Sequence, residues 1–92
     1  MSERAGEDAR GLAALGAAIE ASRAQAGLST DQLAAGAEMT KQSLEAMEAG
    51  QEEPTWGDLR RLAHALGTSL EKLLETAERL EQGEQGDSAS KL

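Results

Sequence analysis

The sequence contains no cysteine, phenylalanine, tyrosine or valine, and it has only one tryptophan and one proline. Without cysteine, disulfide bonds, thiol nucleophiles and cysteine-type zinc sites are all excluded. Valine and the aromatic residues are the ones that favour strands, whereas this chain has 18 alanines and 13 leucines. The composition therefore predicts an all-α fold.

The chain is also poor in positive charge and in long apolar runs. It has 17 Asp and Glu against 9 Lys and Arg, a net charge of -8 over 92 residues. That length allows one small domain, and the acidic balance argues against nucleic acid as a partner. No apolar run approaches the roughly 18 residues of a membrane span, and the first residues lack a signal-peptide pattern. A cytoplasmic protein is expected.

Both ends of the chain are predicted to be disordered tails, because they have little apolar surface whose burial could offset the conformational entropy lost on folding. We predict disorder over residues 1–10 and 81–92 and a folded domain over residues 11–80. Within that domain, leucines and alanines recur at helical spacing between capping residues and glycines. The predicted helix starts include a capping box of Ser29 with Gln32 and an N-cap at Thr40, and the glycines predicted to end helices are Gly27, Gly50 and Gly67. The predicted helices cover 11–26, 30–37 and 41–48, with a fourth opening at Pro54 and Thr55 and a fifth after a cap at Thr68.

Helices two and three are short and joined by a tight turn, as in a helix-turn-helix. The residues LGAAIEASRAQAGLSTDQLA (15–34), MTKQSLEAMEAG (39–50) and LRRLAHALGTSLEKLL (59–74) resemble the phage repressor and Cro type of helix-turn-helix, also called the xenobiotic-response-element family. The likeness covers about 60 residues in one register. It implies a five-helix, lambda-repressor-like DNA-binding domain whose helix-turn-helix is formed by helices 2 and 3.

The resemblance also implies roles for individual residues. Lys41 and Gln42, in the first turn of helix 3, correspond to base readers in the major groove, and Ala46 lies where it can touch a thymine methyl group. Arg23 and Glu48 correspond to an ion pair that ties helix 1 to helix 3. The implied phosphate contacts are Thr30, Gln32, Thr40, Ser43 and Gln51.

Three features depart from the family pattern. Glu38 stands where the turn commonly has glycine, because a left-handed conformation is required there. The second helix starts with Thr30, a short donor, where the family commonly has glutamine. The loop after Gly50 is acidic at Glu52 and Glu53, where a loop that faces phosphates would favour lysine or arginine. Since contacts to phosphate supply most non-specific affinity, weak binding to arbitrary DNA is expected.

Other features have two interpretations. Trp56 either caps the core or lies exposed as an interface anchor. The apolar stripe of the fifth helix either covers its own bundle or forms a homodimer interface through Leu73, Ala77 and Leu80. His64 has no second ligand for a metal, and no catalytic motif is present, so neither an enzyme nor a cofactor is expected.

Two functions follow as hypotheses. The first is a sequence-specific, dimeric transcriptional regulator, either a repressor or the antitoxin of a toxin pair, that reads a pseudo-palindromic double-stranded DNA operator. The second is an acidic protein-protein interaction module that keeps the helix-turn-helix fold without binding DNA. The position of the acids separates them: a ring of Glu38, Glu45, Glu52 and Glu53 around Lys41 would favour the second hypothesis.

Overall fold

A computed structural model describes the backbone of residues 2–82 and the side chains of residues 10–82. That part of the chain forms five α-helices and no strand, which confirms the all-α prediction. None of these helices is both long enough and apolar enough to cross a membrane. The helices are α1 (Ser2–Gln25), α2 (Thr30–Gly36), α3 (Lys41–Glu48), α4 (Trp56–Ala65) and α5 (Leu70–Glu81).

The start of α1 differs from the prediction. The sequence predicted a tail over residues 1–10, whereas α1 begins at Ser2. The segment is rich in Glu, Ala and Arg, which have high helix propensity, and it extends a helix already nucleated by packed residues downstream. The predicted C-terminal tail lies largely outside the described residues, since α5 ends at Glu81 and the description ends at residue 82.

Local capping chemistry accounts for most helix starts. The Ser29 hydroxyl accepts from the Gln32 N–H at 3.0 Å, while the Gln32 side chain accepts from the Ser29 N–H at 2.9 Å. The predicted cap at Thr68 is wrong, because Ser69 caps α5 by accepting from the N–H of Lys72. Thr68 instead completes the end of α4, where its N–H donates to the Ala63 carbonyl at 2.9 Å.

The core holds α2 and α3 against the other helices. α1 packs most extensively on α5 and also contacts α3, while α2 packs on α3 and α4. Burial of the apolar side chains between these helices is the main force that stabilises the fold. The largest fully buried side chains are Ile19, Leu33, Leu44, Met47, Leu62 and Leu73.

α1 and the end of α3 approach each other closely at Gly16. A Cβ atom at this position would lie 2.7 Å from the carbonyl oxygen of Glu48, a separation that real Cβ atoms do not tolerate. Only glycine therefore permits this contact. The close approach brings the side chain of Arg23, two turns further along α1, within reach of Glu48.

The structure gives the exposure of the apolar side chains for which the sequence left two interpretations. Trp56 is 63% exposed and does not cap the core; it begins α4 next to Pro54, which is itself buried. Leu73 is 1% exposed and Ala77 is 9% exposed, because α5 lays them against α1 of the same chain. Neither side chain is therefore accessible on the surface of this chain for contact with a second copy. Leu80 is half-buried, and the exposed leucine of α5 is Leu74.

Candidate nucleic-acid interface

The exposed face of α3 begins with the two predicted base readers. Leu44 and Met47 are buried in the core and fix the orientation of the helix. Lys41 and Gln42 lie exposed in its first turn, and Ala46 is half-buried one turn after Gln42. The structure therefore brings the predicted base readers together on one accessible side of α3.

Two of the predicted phosphate contacts take part in helix capping, Thr40 as the N-cap of α3 and Gln32 as the third residue of the capping box of α2. The Thr40 hydroxyl accepts from the Ser43 N–H at 3.0 Å, and this bond leaves the hydroxyl proton of Thr40 available as a donor. The capping box at the start of α2 uses only the carbonyl oxygen of the Gln32 side chain, so that its amide N–H groups remain donors. Gln51 is exposed in the loop after α3, and Thr30 is half-buried at the start of α2.

Ser43 is engaged differently from the prediction. Its hydroxyl donates to the carboxylate of Glu52, with O···O distances of 3.2 and 3.4 Å to the two carboxylate oxygens. A hydroxyl has a single proton to donate, so Ser43 cannot donate to a phosphate while this bond persists. Glu52 also places a negative charge beside Ser43, at the position where the resemblance implies contact with a DNA phosphate.

Lys41 contacts an acid that the sequence interpretation did not assign to the site. Its Nζ lies 3.6 Å from Oδ1 of Asp31, in the first turn of α2. The two side chains are 50% and 73% exposed, so the pair contributes only about 0.2–1 kcal/mol and is readily exchanged for another partner. The position of Asp31 among the predicted phosphate contacts of α2 was the signal that could have identified it.

The orientation of α3 is further held by Arg23 on α1. Its Nε donates to Glu48 Oε2 at 2.8 Å, its Nη2 to Glu48 Oε1 at 3.3 Å, and its Nη1 to the carbonyl of Leu28 at 3.1 Å. Hydrogen bonding to the Glu48 carboxylate raises the pKa of Arg23 above its ordinary value, and the guanidinium remains charged at neutral pH. The two side chains are 18% and 9% exposed. This bidentate pair connects α1, α3 and the turn before α2.

The turn between α2 and α3 contains the strained residue expected from the sequence. Glu38 has φ of 58°, in the left-handed region, and its side chain is exposed. Any residue with a Cβ is disfavoured there relative to glycine. The strain therefore lies two residues before Thr40, the N-cap of α3.

The acid paired with Lys41 is Asp31, and no salt bridge joins Lys41 to the four described glutamates whose ring would favour a protein-binding module. Of the four glutamates considered, Glu52 contacts α3 through Ser43, whereas Glu38, Glu45 and Glu53 are exposed. Asp31 adds a carboxylate beside Lys41. No group of three or more potential metal ligands is found among the described residues. The interface thus combines polar donors with at least two carboxylates in direct contact with its first-turn side chains.

Comparisons with known proteins identify relatives of this chain in sequence and in fold. Residues 14–77 match the family described as a helix-turn-helix domain, which lies in the xenobiotic-response-element-like group. Two crystal structures of the clp gene regulator ClgR from Corynebacterium glutamicum are similar in fold and sequence. One is 33% identical with a TM-score of 0.70 and covers 76% of this chain and 88% of that chain. The other is 32% identical with a TM-score of 0.76, covering 89% and 87%.

The matched family and structures are regulators rather than enzymes. Comparison with curated protein sequences gives no match.

Proposed function

Because this chain belongs to the helix-turn-helix domain family of DNA-binding transcriptional regulators, we propose that it reads a specific DNA sequence with the first turn of α3 in the major groove. The observation that carries the proposal is the orientation of α3. Leu44 and Met47 hold one side of the helix in the core, while Lys41 and Gln42 are exposed on the other.

Each proposed base reader has a chemistry that suits particular bases. The Gln42 amide can donate and accept at once, which matches the edge of adenine, and the Lys41 ammonium suits the acceptor edge of guanine. Ala46 contributes contact to a thymine methyl group. Thr30, Gln32, Thr40 and Gln51 donate to phosphates, and Ser43 joins them once Glu52 is displaced.

We further propose that two copies bind together to a pseudo-palindromic operator, with half-sites about one helical turn apart. Pairing supports specificity here because a single α3 offers few direct contacts. The regulator would act as a repressor or as the antitoxin of a toxin pair.

The proposal is tested by selecting duplexes from a random pool at low salt and then measuring affinity for the enriched duplex. We expect one motif to be enriched. Gln42→Ala should change the preferred base at one position of each half-site, because it removes a base contact. Lys41→Ala should lower affinity for all sequences if the ammonium contacts phosphate and change the preference if it contacts a base.

A matched control is Gln25→Ala, which removes an exposed glutamine at the end of α1, outside α2 and α3. It should leave affinity and sequence preference unchanged. A pool that yields no motif and no binding at low salt contradicts the proposal, as does binding that ignores both the Lys41 and Gln42 substitutions.

The contacts of Asp31 with Lys41 and of Glu52 with Ser43 favour a second candidate, an acidic module that binds a protein through this face. Both carboxylates lie where phosphates would approach. In that case no duplex is enriched, and a basic protein partner protects α3 from hydrogen exchange. Charge reversal at Asp31 and Glu52 should then abolish that protection.

A further inference from the structure

An open groove lies between α1 and α5, away from the residues assigned to DNA. It has a volume of about 570 Å³, and its apolar lining includes Leu15 and Leu74. Leu74 is 39% exposed, and Leu15 is half-buried. The charged side chains that line the groove are all acidic: Glu71, Glu75, Glu78 and Glu81.

A second exposed surface lies on α4 and has the opposite character. Trp56, Arg60 and His64 follow one another at intervals of four residues, which places them on one face of the helix. Trp56 is the only aromatic residue of the chain and is 63% exposed, and Arg60 and His64 are also exposed. This basic-aromatic stripe shares no residue with the acidic groove.

The acidic groove is unsuited to pairing with another copy of itself. A two-fold contact of groove on groove would bring two sets of four carboxylates together, and like charges in an interface oppose association. An occupant therefore needs an apolar anchor and positive charge. The basic-aromatic stripe supplies both, since a tryptophan side chain buries about 150–250 Å² and a neighbouring arginine can meet the carboxylates.

We propose that the basic-aromatic stripe of one copy docks into the acidic groove of a second copy, with Trp56 against Leu15 and Leu74 and Arg60 against the surrounding glutamates. The inference deepens the proposed pairing of two copies by naming the surfaces that meet, and it requires no DNA. None of the contact residues lies in α2 or α3. If each copy uses both surfaces, a closed pair forms; otherwise copies add head to tail.

Sedimentation velocity without DNA tests the contact over a wide range of protein concentration. The wild-type chain should associate as concentration rises, and association should weaken with salt because charges are paired. Trp56→Ala and the double variant Glu75→Lys/Glu78→Lys should each remain monomeric. The double variant Glu45→Lys/Glu53→Lys makes the same change in net charge at two exposed positions outside the groove, and it should still associate.

Mixing the two defective variants separates this contact from other modes of pairing. The Trp56→Ala chain retains its groove, and the Glu75→Lys/Glu78→Lys chain retains its stripe. Together they should form a 1:1 heterodimer and nothing larger, although neither associates alone. The heterodimer also verifies that both variants are folded.

Three results would overturn the proposal: a wild-type chain that is monomeric at every concentration, association that survives both sets of substitutions, or a mixture that yields no heterodimer. Each leaves the proposed DNA binding untouched, because that is measured separately with the selected duplex. Conversely, if the chain associates as described but no duplex is enriched, the contact between copies is supported and the proposed DNA binding is contradicted.

Discussion

Glu38 shows how one residue departs from its local preference. Its φ of 58° costs about 1 kcal/mol relative to glycine, which adopts this conformation freely. The side chain is exposed, so the substitution Glu38→Gly removes no buried contact. We expect it to raise the free energy of unfolding by about 1 kcal/mol, measured by urea denaturation.

The control for this prediction is Glu45→Gly, which also replaces an exposed glutamate with glycine but lies within α3. It should lower stability by roughly 1 kcal/mol, because glycine is unfavourable inside a helix. If both substitutions destabilise the protein equally, the strain assigned to Glu38 is wrong.

At the scale of elements, α3 is held to α1 by the Arg23–Glu48 pair. Arg23→Ala leaves the Glu48 carboxylate, 9% exposed, without its bidentate partner. We expect a loss of about 3 kcal/mol in the free energy of unfolding, by denaturant titration. The double variant Arg23→Leu/Glu48→Leu should recover much of that loss, since it leaves no unmatched charge. A double variant as unstable as Arg23→Ala would contradict this account.

The first turns of α2 and α3 meet at Asp31 and Lys41, and this contact bears on DNA affinity. Asp31→Asn removes a carboxylate from the face proposed to meet phosphates and releases Lys41 from a weak pair. We expect affinity for the selected duplex to rise several-fold at low salt, measured by fluorescence anisotropy. Glu20→Gln removes an acid that is also exposed but lies on α1, and it should have a much smaller effect. Equal effects would show that only net charge matters.

At the scale of the whole molecule, a net charge of -8 is combined with a proposed interface that has little positive charge. Over residues 30–51, the stretch that carries the proposed DNA contacts, Lys41 is the only Lys or Arg. Because each neutralised phosphate contributes about -0.9 to the slope of log affinity against log salt concentration, we expect a slope no steeper than about -1 per copy. A salt titration with the selected duplex measures it, and a slope several times steeper would show that other cations reach the DNA.

The local features of this fold could be predicted from the sequence because they depend on neighbours a few residues away. The capping box of Ser29 and Gln32, the cap at Thr40 and the left-handed Glu38 each involve one turn of chain. The glycines predicted to end helices, Gly27, Gly50 and Gly67, also have positive φ. Thr68 was misassigned because two adjacent hydroxyl residues offer equivalent local signals, and the end of α4 decides between them.

The sequence by itself determined the helical class, most helix bounds and the first-turn residues of α3. Tertiary structure decided which side chains are exposed, which are buried and which are hydrogen-bonded to a distant residue. Trp56 is exposed, Leu73 is buried against α1, and Ser43 is engaged by Glu52, nine residues away. The physical reason is that helical spacing defines a face, but what covers that face depends on how separate helices pack. Composition likewise shows that the chain is acidic, whereas only the packing of α2, α3 and the following loop sets Asp31 beside Lys41 and Glu52 beside Ser43.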